Sequence, residues 1–178
     1  METISAVYTE DVVVIPARNE ADSLYQDGYG SFLESGVLLT LKPFEALYLV
    51  ERGKIAVIDE GSRRRLVFRE LLKRYSIDDL HVWNRYLVYR DLRSRGFVVK
   101  DGPGRGVDFL VYERGSYGRR LPRYIVYAIW EGAPESIDHL RGILEAAKGE
   151  DRTLRIAVVD RRGAIVYYTL SEMDFMEE

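Results

Sequence analysis

Two apolar, tyrosine-rich runs, "VDFLVYE" (107–113) and "RYIVYAIW" (123–130), flank a loop that carries Arg114, Arg119 and Arg120, with Arg123 at its far end. Each run has strand length and is rich in Val, Ile, Tyr and Phe, so the pair predicts two strands joined by a basic loop. Strands need cover, and the next segment supplies it: residues 134–148 put Ile137, Leu140, Leu144 and Ala147 on one helical face. "TLRIAVVD" and "AIVYYTL", joined by "RRG", read as two final strands. Upstream, a strand from Phe97 enters through the glycine-rich turn "KDGPGRG". The expected product is a sheet with a helix packed on it.

The first half alternates short strands with amphipathic helices. Val12 to Ile15 is a β-branched run ended by Pro16; "ARNEADSLYQDG" is helical and closed by Gly28. After the loop "YGSFLESG" and the strand "VLLTL", Pro43 marks the first turn of a helix that stops at Gly53, and "KIAVID" is a buried strand. Two longer helices follow, with core stripes Phe68, Leu71, Leu72, Tyr75 and then Leu80, Trp83, Leu87, Val88, Leu92; Ser76 is the expected N-cap of the second. The fold class is thus α/β (α+β) in two parts, a mixed domain over 1–94 and a second α/β domain over 95–178.

A length of 178 residues, 47% of them hydrophobic, suffices for real cores. The net charge of −3 hides a basic span, because no Asp or Glu lies between Glu113 and Glu131. No apolar run reaches the roughly 18 to 20 residues that span a bilayer, and the N-terminus lacks signal-peptide order, so a cytoplasmic protein without membrane contact is expected. Two Asn (Asn19, Asn84) and one Gln (Gln26) are the depletion associated with thermophiles, although base composition also favours Arg.

Zero cysteines exclude disulfides, thiolate nucleophiles and zinc–cysteine sites, and two distant histidines, His81 and His139, argue against a metal site. No metal and no cofactor are expected. Both histidines read as structural or surface residues. Asp108, Glu113 and Glu131 lack the neighbouring Lys of a metal-dependent nuclease, and "GPGRG" lacks the Lys-Ser/Thr of a phosphate loop. The arginines and tyrosines of 112–127 remain. Guanidinium groups bind phosphate and aromatic rings stack on bases, so Arg114, Arg119, Arg120 and Arg123 are candidate RNA contacts. A solvated thermophile loop fits the composition equally well.

Three stretches are more specific than composition. "SLYQDGYG…LTLKPFEALYLVERGKIAV" resembles the N-terminal domain of archaeal tRNA-splicing endonucleases; "SRGFVVKDGPGRGVDFLVYERG" and "AVVDRRGAIVYY" resemble their catalytic domain. The resemblance spans nearly the whole chain. It implies a small mixed N-terminal domain, a nuclease-like C-terminal α/β domain, and excision of introns from precursor tRNA at a bulge-helix-bulge motif. Family enzymes act without metal and leave a 2′,3′-cyclic phosphate and a 5′-hydroxyl. A Tyr activates the 2′-hydroxyl, a His protonates the leaving oxygen and a Lys stabilises the charged transition state.

Carried over by position, the tyrosine falls on Tyr112, the histidine on Leu121 (or, one residue along, Pro122) and the lysine at or next to Arg152. The tyrosine is retained and the acid is not, so the catalytic set is not intact. The resemblance then implies a structural subunit in a heterotetramer of two catalytic and two structural chains, binding precursor tRNA with its partner. An active nuclease built from Tyr112, Arg152 and a loop arginine, and a stand-alone RNA-binding protein, are the alternatives. Family assembly implies an acidic loop, here "DRRGA" with Asp160, Arg161 and Arg162, so that contact is altered or supplied by "EGAPES" or the partner. It also implies paired sheet edges, here "AIVYYTL" with Val166 and Tyr168, which read equally as ordinary core.

Overall fold

A computed structural model describes residues 3–33, 36–104 and 106–173. The chain divides into two compact units, 1–90 and 91–178.

In the first unit β1 (Ile4–Thr9), β2 (Val12–Ile15), β3 (Ser31–Phe32), β4 (Leu39–Leu41), β5 (Ile55–Asp59) and β6 (Arg65–Leu66) form one sheet in the order β3-β4-β2-β1-β5-β6. β1 pairs antiparallel with β2 and parallel with β5. The helices are α1 (Arg18–Gln26), α2 (Pro43–Glu51) and α3 (Phe68–Asp78), followed by α4 (Val82–Ser94). α2 is buried from Phe44 through Leu49, which makes it the core helix of this unit.

Several sequence expectations change. β1 carried no turn signal, because its hairpin to β2 turns on Glu10 and Asp11 in the left-handed region (φ 46° and 61°), where Asn-Gly is the usual choice. Ser76 caps nothing: it lies inside α3 and its hydroxyl donates to the Leu72 carbonyl at 2.8 Å. Asp79 makes the turn instead, its Oδ1 accepting the His81 N–H at 2.8 Å. Leu80 and Trp83 are exposed rather than core, while Val82, Asn84 and Tyr86 to Tyr89 are buried, so α4 packs on most of its circumference. Part of "KDGPGRG" is strand: β7 (Val98–Gly104) runs through it with a register shift between Asp101 and Gly104. Arg105 of that turn, and Glu34 and Ser35 of "YGSFLESG", lie outside the described residues.

One polar cluster fastens this unit. Asp59, at the end of β5, accepts the Ser62 hydroxyl and N–H on Oδ2 and the Arg74 guanidinium on Oδ1 at 2.7 Å. Arg74 lies 4.8 Å from the Tyr8 ring centroid, and the Tyr8 hydroxyl donates to Asp11. The Ser62 hydroxyl, then Arg74, hold the Asp59 carboxyl down at about 2, against an ordinary 3.8. A depressed carboxylate stabilises the fold above its unfolded pKa and loses that contribution as pH falls towards the folded one. Melting temperature against pH should therefore drop between pH 3.8 and about 2, and Asp59→Asn should flatten that limb; an unchanged acid limb in the variant refutes the assignment.

The second unit is a five-stranded sheet in the order β11-β10-β9-β8-β7. Its further strands are β8 (Val107–Tyr112), β9 (Tyr124–Trp130), β10 (Thr153–Val159) and β11 (Ile165–Leu170), with α5 (Ile137–Gly149) between β9 and β10. β9 and β10 pair parallel, as a helical crossover requires; the other neighbours are antiparallel. The Ser136 hydroxyl caps α5. α5 buries Ile143, Leu144 and Ala147 against Ile125, Leu154 and Ile156, each large side chain contributing about 1.5–3 kcal/mol.

Candidate functional site

The β8–β9 hairpin and the parallel β9–β10 pair bring the three positions that the resemblance picks out, Tyr112, Leu121 and Arg152, to one end of this sheet. Val111 pairs with Tyr124 and Tyr124 with Thr153, so Tyr112 lies just beyond one member of that row and Arg152 just before another. Leu121 lies in the loop that feeds β9, three residues before Tyr124. Tyr112 is half-buried and meets the Tyr117 ring edge-on at 5.1 Å. The Leu121 side chain is 81% exposed and has no ionisable group. Arg152 is mostly buried, and its guanidinium is held by Glu150 at 2.6 Å. Its charge is therefore already partnered inside the chain.

The basic loop is ordered by its own backbone. The Arg119 and Arg120 N–H groups both donate to the Ser116 carbonyl, and the Ser116 N–H and hydroxyl both donate to that of Glu113. Arg119 and Arg120 project as exposed side chains without an acidic partner among the described residues. Arg114 lies 5.7 Å from the Phe97 centroid. Arg123 reaches Glu113 at 2.9 Å while resting 5.7 Å from the Tyr124 centroid. Glu113 thus offsets part of a loop that reads as purely basic. Its position ten residues before Arg123 gives no sequence signal until the hairpin folds.

Neither histidine joins this site by its ring chemistry. His81 is exposed beside the Asp79 turn. The His139 ring sits edge-on to Tyr127 at 5.4 Å, close over Gly106. Burial, then a hydrogen bond to Glu135, raises the Tyr127 hydroxyl well above its ordinary range. Among the described residues no group of three or more His, Asp or Glu is arranged to hold a metal ion, and no helix is long and apolar enough to cross a membrane.

Of the assembly candidates, Asp160 accepts the Arg162 and Ala164 N–H groups at 2.8 Å each and so closes the β10–β11 turn, leaving Arg161 and Arg162 exposed. β11 is the outer strand of the sheet. Val166 is 52% and Tyr168 57% exposed, so neither is core of this unit.

The chain is thus an α/β protein of two compact units, a mixed-sheet unit followed by a helix-crossed α/β unit with a tyrosine and a basic loop at one sheet end. Residues 4–72 match the family model for the tRNA intron endonuclease N-terminal domain, and residues 82–167 that for the tRNA intron endonuclease catalytic C-terminal domain. The tRNA-splicing endonuclease of Methanococcus vannielii is 34% identical over 169 residues, covering 95% of this chain and 94% of the relative. That of Pyrococcus abyssi is 32% identical over 177 residues, 98% and 100% of the two chains. The tRNA-splicing endonuclease of Methanothermobacter thermautotrophicus is 35% identical over 162 residues, 89% and 91% of the two. The chain belongs to the tRNA intron endonuclease family.

Proposed function

We propose that this chain is the structural subunit of a tRNA-splicing endonuclease. It assembles, two and two, with a separate catalytic chain and supports excision of introns from precursor tRNA at bulge-helix-bulge motifs. The observation that carries this reading is Leu121, an exposed apolar side chain where the family places its proton donor. The Glu150 pairing of Arg152 supports it, since a cation neutralised within the chain is poorly available to a developing phosphorane charge. The exposed edge of β11, with Val166 and Tyr168, is the surface that suits subunit pairing, and Arg119 and Arg120 are the loop groups best placed for phosphate.

Retention of Tyr112 favours a second reading, an active enzyme with a divergent site built from Tyr112, Arg152 and a loop arginine. Mixing separates the two. Catalytic partner plus this chain should cleave a bulge-helix-bulge RNA on the order of 10²-fold faster than partner alone, the scale set by correct positioning. Equal rates with and without this chain sink the structural-subunit reading.

A further inference from the structure

Arg155 is the one charged residue in the apolar strand "TLRIAVV". By register it shares a sheet face with Val126 and Thr169. Tyr112 follows Val111, which pairs with Tyr124 on that same face, so strand alternation turns Tyr112 to the other side. The Arg155 face is therefore distinct from the face of the remnant tyrosine.

On this face Arg155 lines a cavity of about 190 Å³ with Arg95, Phe97, Tyr124, Val126 and Tyr167. Its guanidinium donates to the Thr169 hydroxyl and lies 5.4 Å from the Tyr124 centroid, and no carboxylate among the described residues pairs with it. The cavity's other cation is matched: Arg95 bonds Asp91 at 2.8 and 3.3 Å, and the Tyr167 hydroxyl donates to the same carboxylate. Among the described residues one half-buried positive charge is left over. Such a charge is costly beside apolar walls unless an anion meets it.

Guanidinium favours phosphate, which it binds as a fork. The walls ask for more than phosphate: Phe97 and Tyr124 meet edge-on at 6.5 Å, and Tyr167 and Val126 complete an apolar surround. A dry cavity of about 150 Å³ accepts a benzene ring, so this one admits the planar base, and the phosphate meets the half-buried Arg155 from the cavity's open side. The basic loop adjoins that surround, since Arg114 lies over Phe97 and Arg123 over Tyr124.

We propose that the cavity between β8–β11 and Arg95 is a nucleotide-binding site, in which Arg155 takes the phosphate and the Phe97, Tyr124 and Tyr167 rings flank the base. The nucleotide is either free or part of a single RNA strand. The site does not depend on whether the chain cuts RNA or on which subunit it is.

Isothermal titration of the full chain with 5′-AMP, with a short single-stranded RNA and with inorganic phosphate tests it. Arg155→Gln should weaken 5′-AMP, RNA or both by tenfold or more, the scale of a lost charge-assisted fork. Arg155→Lys should fall between the two, and Arg64→Gln in the other unit should match wild type. Loss confined to 5′-AMP identifies a free nucleotide, and loss confined to RNA identifies the strand. Inorganic phosphate should bind more weakly than either. Binding of neither nucleotide, or binding unchanged in an Arg155→Gln protein whose thermal melt matches wild type, overturns the site; if Arg155→Gln melts early, Arg155→Lys takes its place in that comparison.

Discussion

On the structural-subunit reading, Leu121→His should raise cleavage of a bulge-helix-bulge RNA by about 10²- to 10⁴-fold over the wild-type chain. That range is what a positioned general acid contributes. The substitution is sterically undemanding, because the Leu121 side chain is 81% exposed. It also lies at the sheet end that holds Tyr112 and Arg152, whose backbone row is fixed by the Val111–Tyr124–Thr153 pairing. The upper part of the range requires a usable cation. Arg152 is committed to Glu150, so Glu150→Gln in the same chain should add to the gain by releasing the guanidinium. The assay is gel analysis of end-labelled RNA in chelator, with the partner's own site silenced where the partner is needed for assembly. Tyr112→Phe discriminates: it should abolish the gain in Leu121→His and do nothing to the wild-type chain. A wild-type chain that cleaves, and stops on Tyr112→Phe, would establish the divergent-site reading instead.

The placement of the acid position on Leu121 or Pro122 is a local reading: a hydrophobic–Tyr strand, a short loop and a second Tyr-rich strand set the register to within a residue or so. The strand runs of the second unit were legible for the same reason, since alternation and turn residues are carried by neighbours in sequence. What stayed hidden depends on residues far apart in sequence. Glu113 meets Arg123 only after the hairpin closes, and Asp91 meets Tyr167 across 76 positions. Arg155 did leave a trace, a charge in the middle of an apolar strand, but a period count treats such a residue as noise. The α4 stripe misled because a helix buried on most sides has no single apolar face. Leu80 and Trp83 matched the spacing yet lie exposed, while Asn84 and Tyr86 are buried.

Glu45→Ala should cost about 2–4 kcal/mol. Glu45 is 1% exposed, a rare burial for a carboxylate. It persists because both oxygens are used: Oε1 accepts the Gly30 N–H at 3.0 Å and Oε2 the Lys42 N–H at 2.9 Å. The second contact closes the first turn of α2, where negative charge also meets the positive end of the helix. The first ties α2 to the bend before β3, where Gly30 holds φ +66° and a Cβ would lie 2.6 Å from the Thr40 carbonyl oxygen. Removing the carboxylate strands a buried donor at about 1–3 kcal/mol and a half-buried one at less, which accounts for the total. In a unit of this size that is a fall in melting temperature of roughly 10 to 20 °C. Glu45→Gln should fall less, since one oxygen survives, although its amide turns a donor towards one of the two N–H groups. Gly30→Ala tests the same junction from the other side and should also destabilise, by backbone strain and the clash with Thr40. A Glu45→Ala protein that melts within about 2 °C of wild type would mean that water replaces the carboxylate at both donors, and that α2 is held by its apolar faces alone.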